Sequence, residues 1–366
     1  MAVLDDEQVM LRDTARERAD NESPVTAFRA MRAAPPPERF DSAAWAAMAQ
    51  MGWAGIVVPE EQGGSAFGWL SLGTVLEQLG RTLTASPLAA TAAAASAIAM
   101  GASDAAKAEW LPRIAAGEVA TLAVDEGPIH ATTGLTTKVA NGRLSGQKAF
   151  VAEGDSARAF VVAARDGLYL VADGIDGGDN RGGDNRSGVT RSPRRMADSR
   201  SHATVCFDAA PATRLGGPDL TQAVVDRATA AITAEMLGMA EAAFAQTNDF
   251  LKTRVQFGQQ LSTFQALQHR MARMFTELEL MRSVVEGALE AIDAGRSDVD
   301  QAVSLAKATA SDTLKLVTRE MVQLHGGIGM TDEHDAGFYI KRAAVLETMW
   351  GNAAYHRDRF ARLNGY

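Results

Sequence analysis

From Leu267 to Ile292 the apolar residues Leu267, Met271, Met274, Leu278, Met281, Val285, Leu289 and Ile292 recur at alternating steps of four and three. At 3.6 residues per turn these positions form one continuous stripe, so the segment must be a long helix with a single core-facing side. The preceding Ser262-Thr263-Phe264-Gln265 has the form of a capping box, which places the helix over residues 262–293. Further helical patterns cover 219–253, 298–324 and 335–362, with Asp298 as an N-cap and Gly295 as a stop for the helix before it. Four helices of these lengths suit a bundle.

Earlier in the chain the patterns differ. Residues 4–116 read as helical, with Asp41-Ser42 and Ser103-Asp104 as helix starts, Gly52 as a stop, and a kink or interruption at Pro112. The alanine-rich stretch from Pro87 to Ala102 is shorter than a membrane-spanning helix needs and reads as a buried helix with small side chains. Between 120 and 215 the runs become short and β-rich, and Asn141-Gly142 between two of them signals a hairpin. The expected fold is mainly α with a small antiparallel β domain in the middle: a helical domain at 1–118, the β domain at 119–217, and a C-terminal four-helix bundle at 218–366. Within the β domain, residues 177–201 repeat GGDNR and hold almost no apolar side chains, so a mobile surface loop is expected there.

Composition narrows the function classes. The chain has 366 residues, 46% hydrophobic and 22% charged, which is ordinary for a globular protein. A formal charge of −9 without a long basic run argues against nucleic acid as a partner. One cysteine, Cys206, excludes an intrachain disulfide and a cysteine-built metal site, and the scattered histidines lack metal-ligand spacing. A charged N-terminal stretch and no long apolar span lead to the expectation of a cytoplasmic, non-membrane protein.

Several motifs, in order, carry a family resemblance. R-x-x-FG at Arg254 followed by FQxxQH, QLHGGIGMT from Gln323 with a helical KRA beyond it, and the segment from Gly52 to Leu83 resemble the acyl-CoA dehydrogenase family over most of the chain. The resemblance implies FAD lying between the β domain and the bundle, with part of its site from a neighbouring subunit. It matches Arg254 to the arginine at the flavin pyrophosphate, Phe257 to an aromatic beside the cofactor, Gln265 to the glutamine opening the next helix, and Gln323, Gly326 and Gly327 to the segment passing the same dinucleotide. A guanidinium pairs well with phosphate oxygens, and glycines admit close approach of a ligand.

The family removes a proton α to a thioester carbonyl with a glutamate at one of two places. Here those positions hold Ala228 and Gly351, neither of which takes a proton. Glu235 and Glu347 are the nearest substitutes in the sequence, Glu235 about two turns beyond Ala228. In the β domain the usual flavin-ring segment reads Leu122 to Pro128, retaining Asp125 and Glu126 without the hydroxyls, and Phe150 keeps an aromatic. This pattern resembles the smaller subunits of heteromeric acyl-CoA dehydrogenases. It implies FAD-dependent α,β-dehydrogenation of an acyl-CoA in lipid or acid catabolism, with a homologous large subunit supplying the glutamate and an electron-transferring flavoprotein taking the electrons. The alternatives are a self-sufficient homotetramer with a relocated carboxylate and a flavin-free structural or regulatory subunit.

Overall fold

The computed structural model describes residues 3–35, 38–173 and 187–366. Six helices come first: α1 (Asp6–Glu22), α2 (Val25–Ala33), α3 (Ser42–Gln50), α4 (Gly68–Arg81), α5 (Leu88–Gly101) and α6 (Asp104–Ala115). Eight strands follow: β1 (Ala120–Ala123), β2 (Lys138–Ala140), β3 (Arg143–Ala152), β4 (Ala159–Ala164), β5 (Gly167–Ala172), β6 (Val189–Pro193), β7 (His202–Pro211) and β8 (Thr213–Gly216). The last part holds α7 (Pro218–Thr253), a two-stranded turn of β9 (Val255–Gln256) and β10 (Gln259–Gln260), then α8 (Gln265–Asp293), α9 (Val299–His325), α10 (Ala336–Thr348) and α11 (Ala353–Leu363). Helical, β and helical portions therefore occur in the order expected.

Contacts group these elements into two compact units, Met1–Arg29 with Trp69–Thr84 and Thr229–Tyr366, and Ala30–Gly68 with Ala85–Ala228. The second unit holds two four-stranded sheets, ordered β1-β4-β5-β8 and β2-β3-β7-β6. Pairing is antiparallel except between β1 and β4, where Ala120 faces Ala159 in a parallel register. Asn141 and Gly142 do turn the β2–β3 hairpin, both at positive φ, 51° and 70°. Alanine-rich α5 is buried along nearly its whole length. Small side chains on every face let neighbouring elements come close on all sides.

Residues 177–201 depart from the expected loop. Those up to 186 lie outside the described residues, whereas Val189–Pro193 forms β6 and pairs with β7, Val189 opposite Phe207. The anchoring side chain is Arg191, which donates to the carbonyl oxygens of Asp155 (2.8 Å) and Ala157 (2.7 Å) and pairs with Asp173. A charged residue here supplies the cohesion that apolar side chains do not.

In the first unit the stripe on α8 faces inward, with Met274, Leu278, Met281, Val285, Leu289 and Ile292 all buried. Its start is corrected: Leu261–Thr263 is a 3-10 turn and α8 begins at Gln265 without a side-chain cap. Thr263 Oγ1 donates back to Gln260 O at 2.7 Å, and Gln268 Nε2 donates to Ser262 O at 2.9 Å, so these groups serve the turn instead of the helix. The expected helix 335–362 is two helices, broken where Trp350 (φ 53°) and Gly351 (φ 100°) turn left-handed. Pro112 lies within α6, which continues to Ala115.

Two glycines set a close helix crossing. A Cβ on Gly238 of α7 would lie 1.8 Å from Glu77 O of α4, and one on Gly80 of α4 would lie 2.3 Å from Glu235 O of α7. The two backbones touch because neither position carries a side chain. The start of α4 is held from α8, since Trp69 N–H and Leu70 N–H donate to the Asp293 carboxylate at 2.6 and 2.8 Å and satisfy amides that a helix leaves open. Gly238→Ala is expected to force α4 and α7 apart and cost at least about 2 kcal/mol, read as a fall in the denaturant midpoint; an unchanged midpoint would contradict the crossing.

Candidate functional site

The sequence-predicted cofactor residues lie on two segments of the first unit. Helix α7 ends at Thr253, and Arg254 follows it, exposed and without an ion pair among the described residues. Its backbone holds the turn in place: Arg254 N–H donates to Phe250 O (2.8 Å) and Arg254 O accepts from Leu261 N–H (2.9 Å). Between them β9 and β10 pair Val255 with Gln260 and Gln256 with Gln259, closed by Phe257 and Gly258 at φ 56° and 78°. Phe257 is 87% exposed, its ring edge-on to Phe264 at 6.1 Å. A bulky residue at positive φ is uncommon and marks this as a special turn. Gln265 is exposed at the first position of α8.

The second segment closes α9. Gln323 is exposed on its last turn, and Gly326 (φ 64°) and Gly327 follow, also exposed. A Cβ at either glycine would meet nothing within 4 Å, so the backbone is open to a ligand. An uncommitted guanidinium, a side-chain amide and open glycine backbone are the donor set and the clearance that a pyrophosphate needs. The residues present fit that part of FAD.

The two positions that the resemblance matches to the base are both closed. Ala228 is fully buried in α7. At Gly351 an added Cβ would lie 2.5 Å from Tyr355 Cδ1 and 2.9 Å from His356 Nε2. The loop around it is fixed by buried groups: Lys307 of α9, fully buried, donates from Nζ to the carbonyl oxygens of Leu346 (2.8 Å), Glu347 (3.1 Å) and Gly351 (2.9 Å). His356 Nε2 donates to Trp350 O at 2.9 Å. Burial pushes the Lys307 ammonium down to about 7, against the opposing pull of the Glu347 carboxylate. Three carbonyls match the three N–H groups of an ammonium, which makes this lysine the clamp of the 349–352 loop.

The substitute carboxylates are engaged elsewhere. Glu235 of α7 accepts from Arg342 of α10 through both oxygens, at 2.9 Å from Nε and 2.8 Å from Nη2, with both side chains about a tenth exposed or less. Glu347 pairs with Lys315 at 3.1 Å. Glu241 pairs with Arg282, which also has Glu77, Glu279 and Glu286 within 4 Å.

In the second unit, Glu126 accepts from the amide and hydroxyl of Thr136 (both 2.7 Å), from those of Thr137 (2.8 and 2.6 Å), and from Lys148 Nζ at 3.0 Å. Burial opposes its ionisation, but the threonine hydrogen bonds outweigh that and hold the carboxyl well below the usual range. Asp125 lies 2.7 Å from His130 Nδ1. Phe150, at φ 54° in a bulge of β3, has its ring covered by the Arg194 guanidinium at 4.5 Å. The hydroxyls around Glu126 are those of Thr136 and Thr137, ten and eleven residues beyond it. They serve the carboxylate.

Comparison with known proteins decides the family. The acyl-CoA dehydrogenase N-terminal domain matches residues 5–118 and the acyl-CoA dehydrogenase C-terminal domain matches 216–363. This chain belongs to the acyl-CoA dehydrogenase family. It is 30% identical to the acyl-CoA dehydrogenase IpdE2 of Mycobacterium tuberculosis over 342 residues, 92% of this chain and 91% of that one. Among solved structures it resembles the Tcur3481-Tcur3483 steroid ACAD, at 29% identity and TM-score 0.87 over 98% of this chain and 97% of that one. It also resembles the ChsE4-ChsE5 complex from Mycobacterium tuberculosis, at 25% identity and TM-score 0.86 over the full length of both chains. The family's members are FAD-dependent oxidoreductases acting on the CH–CH bond of acyl-CoA thioesters.

For this acyl-CoA dehydrogenase the geometry of the base positions has direct consequences. Gly351→Glu is expected to gain no dehydrogenase turnover and to unfold at lower temperature than the parent, because its side chain collides with Tyr355 before it reaches any substrate. Recovered turnover with unchanged stability would refute this. Glu235→Gln leaves the buried Arg342 guanidinium without its counter-charge, with an expected loss of about 3 kcal/mol in chemical denaturation.

Proposed function

We propose that the chain is the base-lacking subunit of a heteromeric acyl-CoA dehydrogenase, sharing FAD with a homologous chain that supplies the catalytic glutamate. The observation that carries this is the closure of both base positions, fully buried Ala228 on α7 and Gly351 against Tyr355 and His356, while the pyrophosphate-side residues remain open. The relocated-carboxylate alternatives are disfavoured because both carboxylates are engaged in ion pairs, Glu235 through both oxygens with Arg342 and Glu347 with Lys315. Two similar structures are each named for a pair of chains, Tcur3481-Tcur3483 and ChsE4-ChsE5, which supports a two-chain assembly.

In this reading Arg254 pairs with the FAD pyrophosphate, Gln323 donates an amide to it, and the Gly326-Gly327 backbone lets it approach. Phe257 and Gln265 flank the same dinucleotide. Bound FAD supplies the hydride acceptor for α,β-oxidation of the acyl-CoA, in lipid catabolism, and the electrons leave to an electron-transferring flavoprotein. The steroid designation of one similar structure makes steroid-derived acyl-CoA esters the first substrate class to test. The acidic charge and single cysteine suit a cytoplasmic setting without nucleic acid or membrane partners.

The test is to purify the chain alone and together with a co-encoded homologue, and to follow dye reduction with steroid and straight-chain acyl-CoA esters. Turnover is expected only for the pair, and glutamate-to-glutamine substitution at the partner's base should abolish it. Arg254→Ala in this chain should weaken FAD retention by about tenfold or more, the value of one charge-assisted phosphate contact. Turnover by the lone chain would overturn the proposal.

A further inference from the structure

The two cofactor segments are far apart in sequence, and a stack of three rings joins them. Phe250, one turn before Arg254, has its ring 4.3 Å from that of His325 at an interplanar angle of 31°. His325 stands two residues after Gln323 and directly before Gly326. Its ring lies 4.3 Å from His334, at 48°, and His334 leads into α10. The stack therefore runs from the Arg254 end of α7, through the residue beside the glycine turn, to the start of α10.

Burial favours the neutral form of each imidazole, and the stack sets the two rings against each other. Buried His325 donates from Nδ1 to Met321 O at 2.7 Å, so the neutral ring carries its proton there. His334 does the opposite: its Nδ1 accepts the Ala336 N–H at 3.1 Å, which a protonated ring cannot do. A positive charge there would also stand at the N-terminus of α10, where the helix dipole opposes it. Two stacked imidazolium rings would repel.

The charges around the stack are identified. From α2, Arg29 donates to Asp332 O and Glu333 O and pairs with Asp335 at 2.6 Å, its guanidinium 4.5 Å above the Phe338 ring. For His334, burial lowers the ring below its ordinary value, Asp335 raises it and Arg29 lowers it. For His325, burial lowers it, the Met321 carbonyl raises it and His334 lowers it. On the α7 side the stack meets the uncharged ring of Phe250.

We propose that the Phe250–His325–His334 stack is a positioning device that holds the Gly326-Gly327 turn against the Arg254 end of α7 only while both histidines are neutral, so that acid opens the turn and releases FAD. The step to FAD rests on the cofactor reading above; the opening of the turn does not. The sign follows from linkage. Because both rings are depressed in the closed form, it holds fewer protons than the open one, and its advantage is complete above the ordinary histidine value near 6.5 and lost as pH falls through the depressed values.

Flavin release from the holoprotein, alone or with its partner, is followed by flavin fluorescence from about pH 8 to about pH 5. The wild type should hold FAD at least about tenfold more weakly at the acid end. His325→Phe keeps a ring in the stack and His334→Asn keeps an oxygen for Ala336 N–H, and neither can charge; both should flatten the pH profile. A flat wild-type profile, or variants that follow it unchanged, overturns the proposal. Hydrogen exchange over residues 323–335, corrected for intrinsic rates, reads the turn without flavin. Acid should raise exchange there in the wild type and not in His325→Phe, and unchanged protection sinks the proposal even in a flavin-free chain. Acid opening in a chain that binds no flavin at neutral pH upholds the stack and removes only the cofactor reading.

Discussion

The crossing of α4 on α7 is the contact on which the first unit depends. Gly80 and Gly238 each face a backbone carbonyl of the other helix, so the two axes come closer than side chains would allow. Other interactions are placed by that approach. Tyr339 of α10 donates to Arg81 O at 2.6 Å, at the end of α4, while Gln246 of α7 donates to the same hydroxyl at 3.1 Å. The Glu235 carboxylate leaves α7 beside the crossing and meets Arg342 of α10. A helix spacing set by two absent side chains thus decides where a buried charge pair forms.

The loop after α10 shows a similar trade. Trp350 and Gly351 adopt left-handed conformations, and the Trp350, Gly351, Leu346 and Glu347 carbonyls are all satisfied by buried side chains, His356 and Lys307. Such a turn is stable because each polar group has a partner in a low-dielectric setting. It is also rigid and has no space for a longer side chain. The position that the family resemblance matches to a base is here part of an internal polar clamp. In the proposed two-chain reading proton removal falls to the other chain, while the Arg254 and Gly326-Gly327 region stays exposed.

Much of this was legible in the sequence, and for identifiable reasons. Helical periodicity fixed the buried face of α8 and Asn141-Gly142 fixed a hairpin, because each rests on residues close together in the chain. Local patterns also misled. Ser262 to Gln265 has the letters of a capping box, but Leu261–Thr263 forms a 3-10 turn and α8 starts at Gln265 without a side-chain cap, and residues 189–193 form a strand held by Arg191 where composition suggested only a loop.

What the sequence determined by itself was the order of helical and β portions, the family, and that Ala228 and Gly351 carry no titratable group, since an alanine and a glycine have none in any fold. What only the tertiary structure decided was where the remaining charges and rings go. Glu235 and Arg342 are 107 positions apart and form a bidentate pair. Lys307 looks like a surface lysine until three carbonyls surround it, and His325 and His334 are merely scattered histidines until the turn between them brings their rings to 4.3 Å. Periodicity and motifs act over a few residues, but a hydrogen bond or a ring contact depends on distances that only the packed chain sets.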